Sequence, residues 1–407
     1  MPEIIKGLRV VEASAFIAAP YAGLTLAQLG ADVIRIDPVG GGLDHKRWPI
    51  TRDGNSLYWA GLNKGKRSIM LNARDPEGRE LAHALMTREG PGAGIVLTNL
   101  PARGWLAYDT LKARRDDLIM LGITGNRDGS VALDYTVNAA AGFPLVTGPA
   151  GHAGPVNHVM PVWDVVAGLS AVTAILAAER MRRDTGQGQF IAHALSDAAF
   201  STLSHLGYVA EVQINGDDRP ATGNQVYGTY GCDFATADGR RVMITAFTTR
   251  HWHALLEATG LAGRMAKVAE LFELDLDREE ARWEARDTIT ALLKPWFAAR
   301  TLDQIRTAMN AVGACWGPYQ SFAQAVREDP RLSTKNPMFA EIDQPGIGRH
   351  IAAGPMVDFG AAPRTPVKPA PLLGADTDAI LADDLGLDSG QIGRLHDAGI
   401  VAGAAKG

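Results

Sequence analysis

The first forty residues alternate in a way that few folds accommodate. Residues 8–13 form an apolar, β-branched run that fits a buried strand. Pro20 stands where a helix can begin without losing a needed N–H, and Gly30 marks its end. Residues 31–36 are a second apolar run. Strand, helix, strand predicts a βαβ unit, and such units build parallel sheet. The alternation returns with strands over 68–71, 94–97 and 118–123, separated by helices over 77–86 and near Leu111. The expected fold class is α/β.

The chain has 407 residues, which predicts two domains, or one large domain with a smaller one inserted. A long helix is expected over 164–183. Gly186 closes it, and Arg180, Arg182 and Arg183 in its last turn suit the helix dipole. A strand over 189–194 and another apolar helix follow, and then the polar stretch 215–220 breaks the pattern. Residues 223–318 change texture, with a hairpin around Asp238-Gly239 and helices that include one over 278–293. Beyond Gln344 glycine and proline are dense, and helical periodicity resumes over 376–400. The boundaries expected are a first part of a large domain over 1–214, a small α+β domain over 223–320, and a linker with a return to the large domain over 321–407.

Forty Lys and Arg against forty-five Asp and Glu give a net charge of -5, and no stretch concentrates basic residues as a nucleic-acid surface requires. Cys232 and Cys315 lie far apart without metal-ligand spacing, which argues against a disulfide framework or a zinc site and for a reducing compartment. The N-terminus reads as an immediate strand rather than a signal peptide. The longest apolar helical run, 165–178, falls short of the roughly 20 residues needed to span a bilayer. A soluble cytoplasmic protein, with no metal, nucleic-acid or membrane partner, is the expectation.

The first βα loop, Ser14 to Pro20, lacks the Gly-x-Gly-x-x-Gly that lets backbone approach a pyrophosphate, although Asp37 stands where a ribose-binding acid sits in dinucleotide folds. Walker A, Gly-x-Ser-x-Gly and His-Glu-x-x-His patterns are also missing. Cations do gather around the early strands: Lys46, Arg47, Lys64, Lys66, Arg67, Arg74 and Arg103. At strand C-termini they can bind a polyphosphate through side-chain donors; the plainer reading is a solvated rim. Asp164 heads the long helix from within an apolar run. It reads as an N-cap, and equally as a carboxylate kept ionised by the helix dipole and able to attack a carbonyl unaided. His251 and His253 point to different helix faces and make no metal pair. Trp48, Trp59, Trp105 and Trp163 read as packing residues.

Read in order, these features resemble the class III CoA-transferase family, the formyl-CoA and carnitine CoA-transferase group. The likeness runs through Gly7-Leu8-Arg9-Val10, Leu29-Gly30-Ala31-Asp32-Val33-Ile34, Asn63-Lys64-Gly65-Lys66-Arg67-Ser68-Ile69, Asp75-Pro76-Glu77-Gly78, Thr185-Gly186-Gln187-Gly188-Gln189 and Ala370-Pro371-Leu372-Leu373-Gly374. The resemblance implies an interlocked homodimer, each chain having a Rossmann-like large domain made from both termini and a smaller middle domain. It implies an acyl-CoA thioester substrate, with coenzyme A entering as part of that substrate and no separate cofactor. It makes Asp164 the nucleophile. It carries CoA contacts over to Ile17 and Ala18, to Leu71 and Arg74, and to Asn99, Leu100 and Arg103, with Arg47 a looser match; for acyl transfer at Asp164, Tyr135 is expected to hydrogen-bond in the acyl pocket.

Three departures narrow the chemistry. The family's Glu-Asn-Phe-Arg-Pro-Gly reads Thr98-Asn99-Leu100-Pro101-Ala102-Arg103-Gly104 here, which moves the arginine. The glycine-rich loop of formyl-CoA transferases has no counterpart near 224–230. The racemases on this fold use a histidine where Leu133 precedes Asp134, so α-carbon proton transfer lacks its shuttle. Distinctive stretches such as Gly40-Gly41-Gly42-Leu43-Asp44 and Asp134-Tyr135-Thr136-Val137-Asn138 resemble members of the family that move CoA between the two carboxyl groups of one small dicarboxylate, and that resemblance implies the same reaction here. The alternatives are intermolecular transfer to another small dicarboxylic acid and a non-catalytic acyl-CoA-binding protein.

Overall fold

The structure is a computed structural model that describes residues 4–364 and 366–404. The described residues divide into two compact units, the first within 4–141, 159–214 and 330–404, the second 142–158 and 215–329.

The first unit opens with β1 (Arg9–Ala13), α1 (Ala18–Gln28) and β2 (Asp32–Asp37), the anticipated βαβ. Helix α1 starts two positions before Pro20, which therefore sits in the first turn, where no intrahelical N–H partner is needed. There follow α2 (Leu57–Leu62), β3 (Arg67–Leu71), α3 (Pro76–Met86), β4 (Ile95–Thr98), α4 (Tyr108–Lys112), β5 (Ile119–Thr124) and α5 (Asp134–Ala140). Beyond α6 (Phe143–Val146), which belongs to the second unit, come α7 (Val162–Thr185), β6 (Gln189–Ala194), α8 (Leu195–His205) and α9 (Tyr208–Asn215). Strands β1 to β5 are buried almost continuously, as parallel strands covered on both faces must be.

Helix α7 is longer than its apolar run because the polar segment through Thr185 continues it up to Gly186, which takes φ +74°. This corrects the length expected from the apolar run alone: by length and composition α7 could cross a bilayer. Here it packs against α1, α5, α8, β5 and β6. Near its end, buried Arg182 donates to the carbonyls of Ala93 and Asp117, as the core helix of a sheet protein does.

In the second unit β7 (Tyr230–Ala235) and β8 (Arg241–Ala246) form the hairpin around Asp238-Gly239. Five helices follow: α10 (Thr249–Thr259), α11 (Ala262–Phe272), α12 (Glu279–Glu284), α13 (Arg286–Ala298) and α14 (Leu302–Val312). The single helix expected over 278–293 is two, because Ala285 leaves helical geometry and ends one helix while starting the next. Strand β9 (Cys315–Pro318) joins β8, and α15 (Phe322–Glu328) carries the unit on to Asp329.

The chain then returns to the first unit with a hairpin, β10 (Phe339–Gln344) and β11 (Gly348–Ala353), and with α16 (Thr377–Leu385), α17 (Ser389–Asp397) and β12 (Val401–Ala402). The completed sheet has the order β12-β3-β2-β1-β4-β5-β6, parallel except for β12. Its direction of growth reverses between β1 and β4, the switch point where open α/β sheets bind ligands at the carboxyl ends of their strands.

Candidate active site

Every candidate site residue follows the carboxyl end of a parallel strand or sits on α7. Ile17 and Ala18 come after β1, Arg47 after β2, Leu71 and Arg74 at the end of β3, Asn99, Leu100 and Arg103 after β4, and Tyr135 after β5. Asn99 spans the switch point: its amide accepts from Ala15 N–H at 2.9 Å and donates to the Ala15 carbonyl at 2.6 Å, tying the first βα loop to the end of β4. The Ile17 side chain does not cap α1, and no hydrogen bond from the Ile17 or Ala18 N–H to another group is found among the described residues.

Asp164 does not cap α7. The helix begins at Val162, and the carboxylate of Asp134 accepts from the backbone N–H groups of Trp163 at 2.6 Å and Asp164 at 3.1 Å. Another residue performs the capping expected of Asp164, and among the described residues nothing donates to the Asp164 carboxylate. One turn on, Gly168 shares its helix face and packs on α1 so closely that a Cβ there would lie 2.8 Å from the Ala18 carbonyl oxygen. The two helix starts are thereby brought side by side.

The expectation that Asp164 stays ionised through the helix dipole is corrected. Burial, reinforced by the charge of Asp134, pushes its carboxyl up to about 7, against the opposing pull of Arg47. The Arg47 guanidinium lies over the rings of Phe16 and Tyr58, 5.4 Å from each centroid. Neither ring was singled out as a site residue from sequence. Phe16 is a non-glycine residue at φ +64°, a conformation that residue type does not announce.

The cation group separates into two sets. Lys46, Arg47, Arg74 and Arg103 are exposed beyond strand carboxyl ends. Lys66 is buried against Glu12 at 2.8 Å, and Arg67 sits at the amino end of β3, paired with Asp32 at 2.5 Å and Asp384 at 2.6 Å. Lys64 donates to the Gly61 carbonyl at 2.6 Å. These three are structural and leave the proposed polyphosphate rim. Leu71 is a core side chain that could meet a ligand only through its main chain. The Tyr135 hydroxyl already donates to the Val159 carbonyl at 2.9 Å, so it can only accept from a substrate. Asp37 is buried and held by Arg35, unavailable to a ribose. Trp48, read as a packing residue, is exposed. His253 bonds Asp277 at 2.7 Å, and no cluster of metal-ligating side chains occurs among the described residues.

A parallel sheet with an aspartate, arginines and an uncapped helix at its switch point suits transfer of an anionic, phosphate-bearing acyl group. Residues 5–377 match the profile of CoA-transferase family III. The chain belongs to that family and is an enzyme of the CoA-transferase type. It is 53% identical over 404 residues to the 2-methylfumaryl-CoA isomerase of Chloroflexus aurantiacus, covering 99% of both chains. It is 30% identical to the succinyl-CoA:mesaconate CoA-transferase of Haloarcula marismortui, over 95% of this chain and 97% of that one. Among solved structures, a CAIB/BAIF family protein from Brucella suis aligns with a TM-score of 0.76 at 27% identity, covering 94% of this chain and 100% of that chain.

Proposed function

We propose that the protein moves CoA between the C1 and C4 carboxyl groups of 2-methylfumarate (mesaconate), with Asp164 as covalent carrier. The observation that supports the carrier role is the capping of α7 by Asp134, which leaves both Asp164 oxygens uncommitted beside the start of α1. The substrate rests on the 53% relative.

The chemistry needs a carrier. The carboxyl groups of a fumarate lie across a trans double bond, so neither can reach the other to close a cyclic anhydride. The ionised Asp164 carboxylate attacks the C1 thioester carbonyl, the C–S bond breaks, and CoA departs as thiolate, leaving a mixed anhydride. The thiolate attacks the aspartyl carbon of that anhydride, releasing the C1 carboxylate and forming an aspartyl-CoA thioester. The freed diacid turns in place, its C4 carboxylate displaces the thiolate from the aspartyl carbon, and the thiolate then attacks C4, restoring Asp164. Each hard exchange becomes two acyl transfers.

In this reading N–H groups at Ile17 and Ala18 steady the tetrahedral oxyanions. Arg74 and Arg103 meet the CoA phosphates, with main-chain contacts from Leu71 and Leu100. Arg47, whose charge is felt by Asp164, holds the substrate's free carboxylate as well as closing over the thioester end. Asn99 fixes the loop and Tyr135 accepts from the acyl group. Exclusion of water protects the anhydride. We take the enzyme to act as a soluble cytoplasmic homodimer with no cofactor beyond the CoA of its substrate.

The C1-CoA ester is incubated with no acceptor acid and its products are separated by mass. The reading predicts the C4-CoA ester. Product that forms only after succinate or free mesaconate is added means intermolecular transfer, as the Haloarcula relative's name describes. Tight binding without any product means a silent acyl-CoA-binding protein.

A further inference from the structure

Beneath the first βα loop, five charged side chains are removed from water: Glu12, Arg35, Asp37, Asp44 and Lys66, none more than 4% exposed. Burying so many ionised groups is costly, and apolar packing would stabilise the same space at least as well. Their arrangement accounts for them. The Arg35 guanidinium bonds Asp37 at 2.9 and 3.0 Å and Asp44 at 3.1 and 3.2 Å, and reaches the Ser14 carbonyl at 3.3 Å. Held in that grip, the Asp44 carboxylate accepts from the Phe16 N–H at 3.0 Å.

Phe16 is the residue at φ +64°, and a bulky side chain persists in that region only where its surroundings over-determine it. The Asp44 carbonyl also accepts from the Arg47 N–H at 3.1 Å. One residue thus grips both halves of the site: the loop that presents Ile17 and Ala18, and the turn that carries Arg47 over the Phe16 ring. Asp44 itself lies too deep to meet substrate.

We propose that Asp44, clamped by Arg35, is a positioning residue that holds Phe16 in its left-handed conformation and so sets the oxyanion-binding N–H groups and Arg47 against Asp164. The inference rests on the CoA-transfer reading above for its kinetic consequence, and on geometry alone for its structural one.

Asp44→Asn keeps an acceptor oxygen of the same reach; Asp44→Ala does not. Both are assayed for kcat and KM with the CoA ester, and hydrogen exchange is followed at the Phe16 amide. Asp44→Ala is expected to lower kcat about 10- to 100-fold, since misplacement of reacting groups by about 1 Å costs on that order, to raise KM up to about tenfold as Arg47 loses its seat over Phe16, and to lose Phe16 protection. Asp44→Asn is expected to keep kcat within about threefold and to keep the protection. An Asp44→Ala enzyme with unchanged kcat, or an Asp44→Asn enzyme impaired equally, overturns the proposal. Should Asp44→Ala fail to fold, the unaltered protein still decides: a Phe16 amide exchanging at the free-peptide rate overturns it, and a protected amide that Asp44→Asn preserves supports it. The exchange measurement needs no turnover, so a wild-type chain without isomerase activity but with Asp44-dependent protection defeats the substrate reading and leaves the positioning role standing.

Discussion

At the scale of the residue, Asp164 is defined by what its neighbours do. Asp134 takes the capping duty and, by its charge, adds to the burial that raises Asp164 to about 7. The reactive form is the anion, so kcat/KM is expected to rise roughly tenfold per pH unit up to about pH 7 and then level, measured in the free enzyme. Asp134→Asn keeps an oxygen for the Trp163 and Asp164 amides but removes the like charge, which moves that midpoint to lower pH; an unmoved midpoint means that the titration belongs to another group. Asp164→Ala is expected to lose turnover by about a thousandfold or more while CoA-ester binding by calorimetry survives. Arg47→Lys keeps the charge but loses the planar fork and its seat between Phe16 and Tyr58, and should raise KM about tenfold in steady-state assays. As a candidate, Asp164 stands out in the sequence through its apolar setting and its match to the family's aspartate; its role as carrier is a proposal. Its raised pKa was not legible, since that depends first on burial in the fold and then on Asp134, thirty residues away in sequence.

At the scale of the element, the βαβ start, the parallel strands and the Gly186 stop of α7 were legible because periodicity and glycine act locally. The break at Ala285, the short helix α2 and the hairpin of β10 and β11 were not; α2, although Ser56 caps it, has six residues, too few for a helical period to show. Lys66 and Arg67 illustrate a further limit: a cation's partner, here Glu12 or Asp32 and Asp384, is invisible to spacing along the chain. The close approach of α1 and α7 gives its own prediction. Gly168→Ala places a Cβ 2.8 Å from the Ala18 carbonyl oxygen, so the helices must part. A stability loss of about 1–3 kcal/mol in denaturant unfolding is expected, together with a lower kcat as Asp164 moves off the α1 terminus. Wild-type kcat in a folded Gly168→Ala enzyme would separate that packing from catalysis.

At the scale of the whole molecule, α9 has no buried residue in the single chain; Val209, Val212 and Ile214 stand exposed on it, as do Phe200 on α8 and Leu206 just after it. Large apolar side chains left exposed in a single chain mark a candidate interface. With the homodimer proposed above, light scattering should give twice the mass of one chain. Leu206→Glu with Val212→Glu should shift it toward the single-chain mass, whereas an unchanged dimer places the interface elsewhere. Each unit has its own hydrophobic core, and all the site residues named here lie in the first.

The account stands on an oxygen passing between substrate and enzyme. If the aspartyl-CoA route operates, Asp164 gives one oxygen to the departing C1 carboxylate and takes one from the C4 carboxylate. A single turnover with substrate labelled with oxygen-18 in its free C4 carboxylate, followed by mass analysis of the peptide containing Asp164, tests this directly. The prediction is one heavy oxygen on Asp164. An unlabelled aspartate after complete conversion to the C4-CoA ester would contradict it.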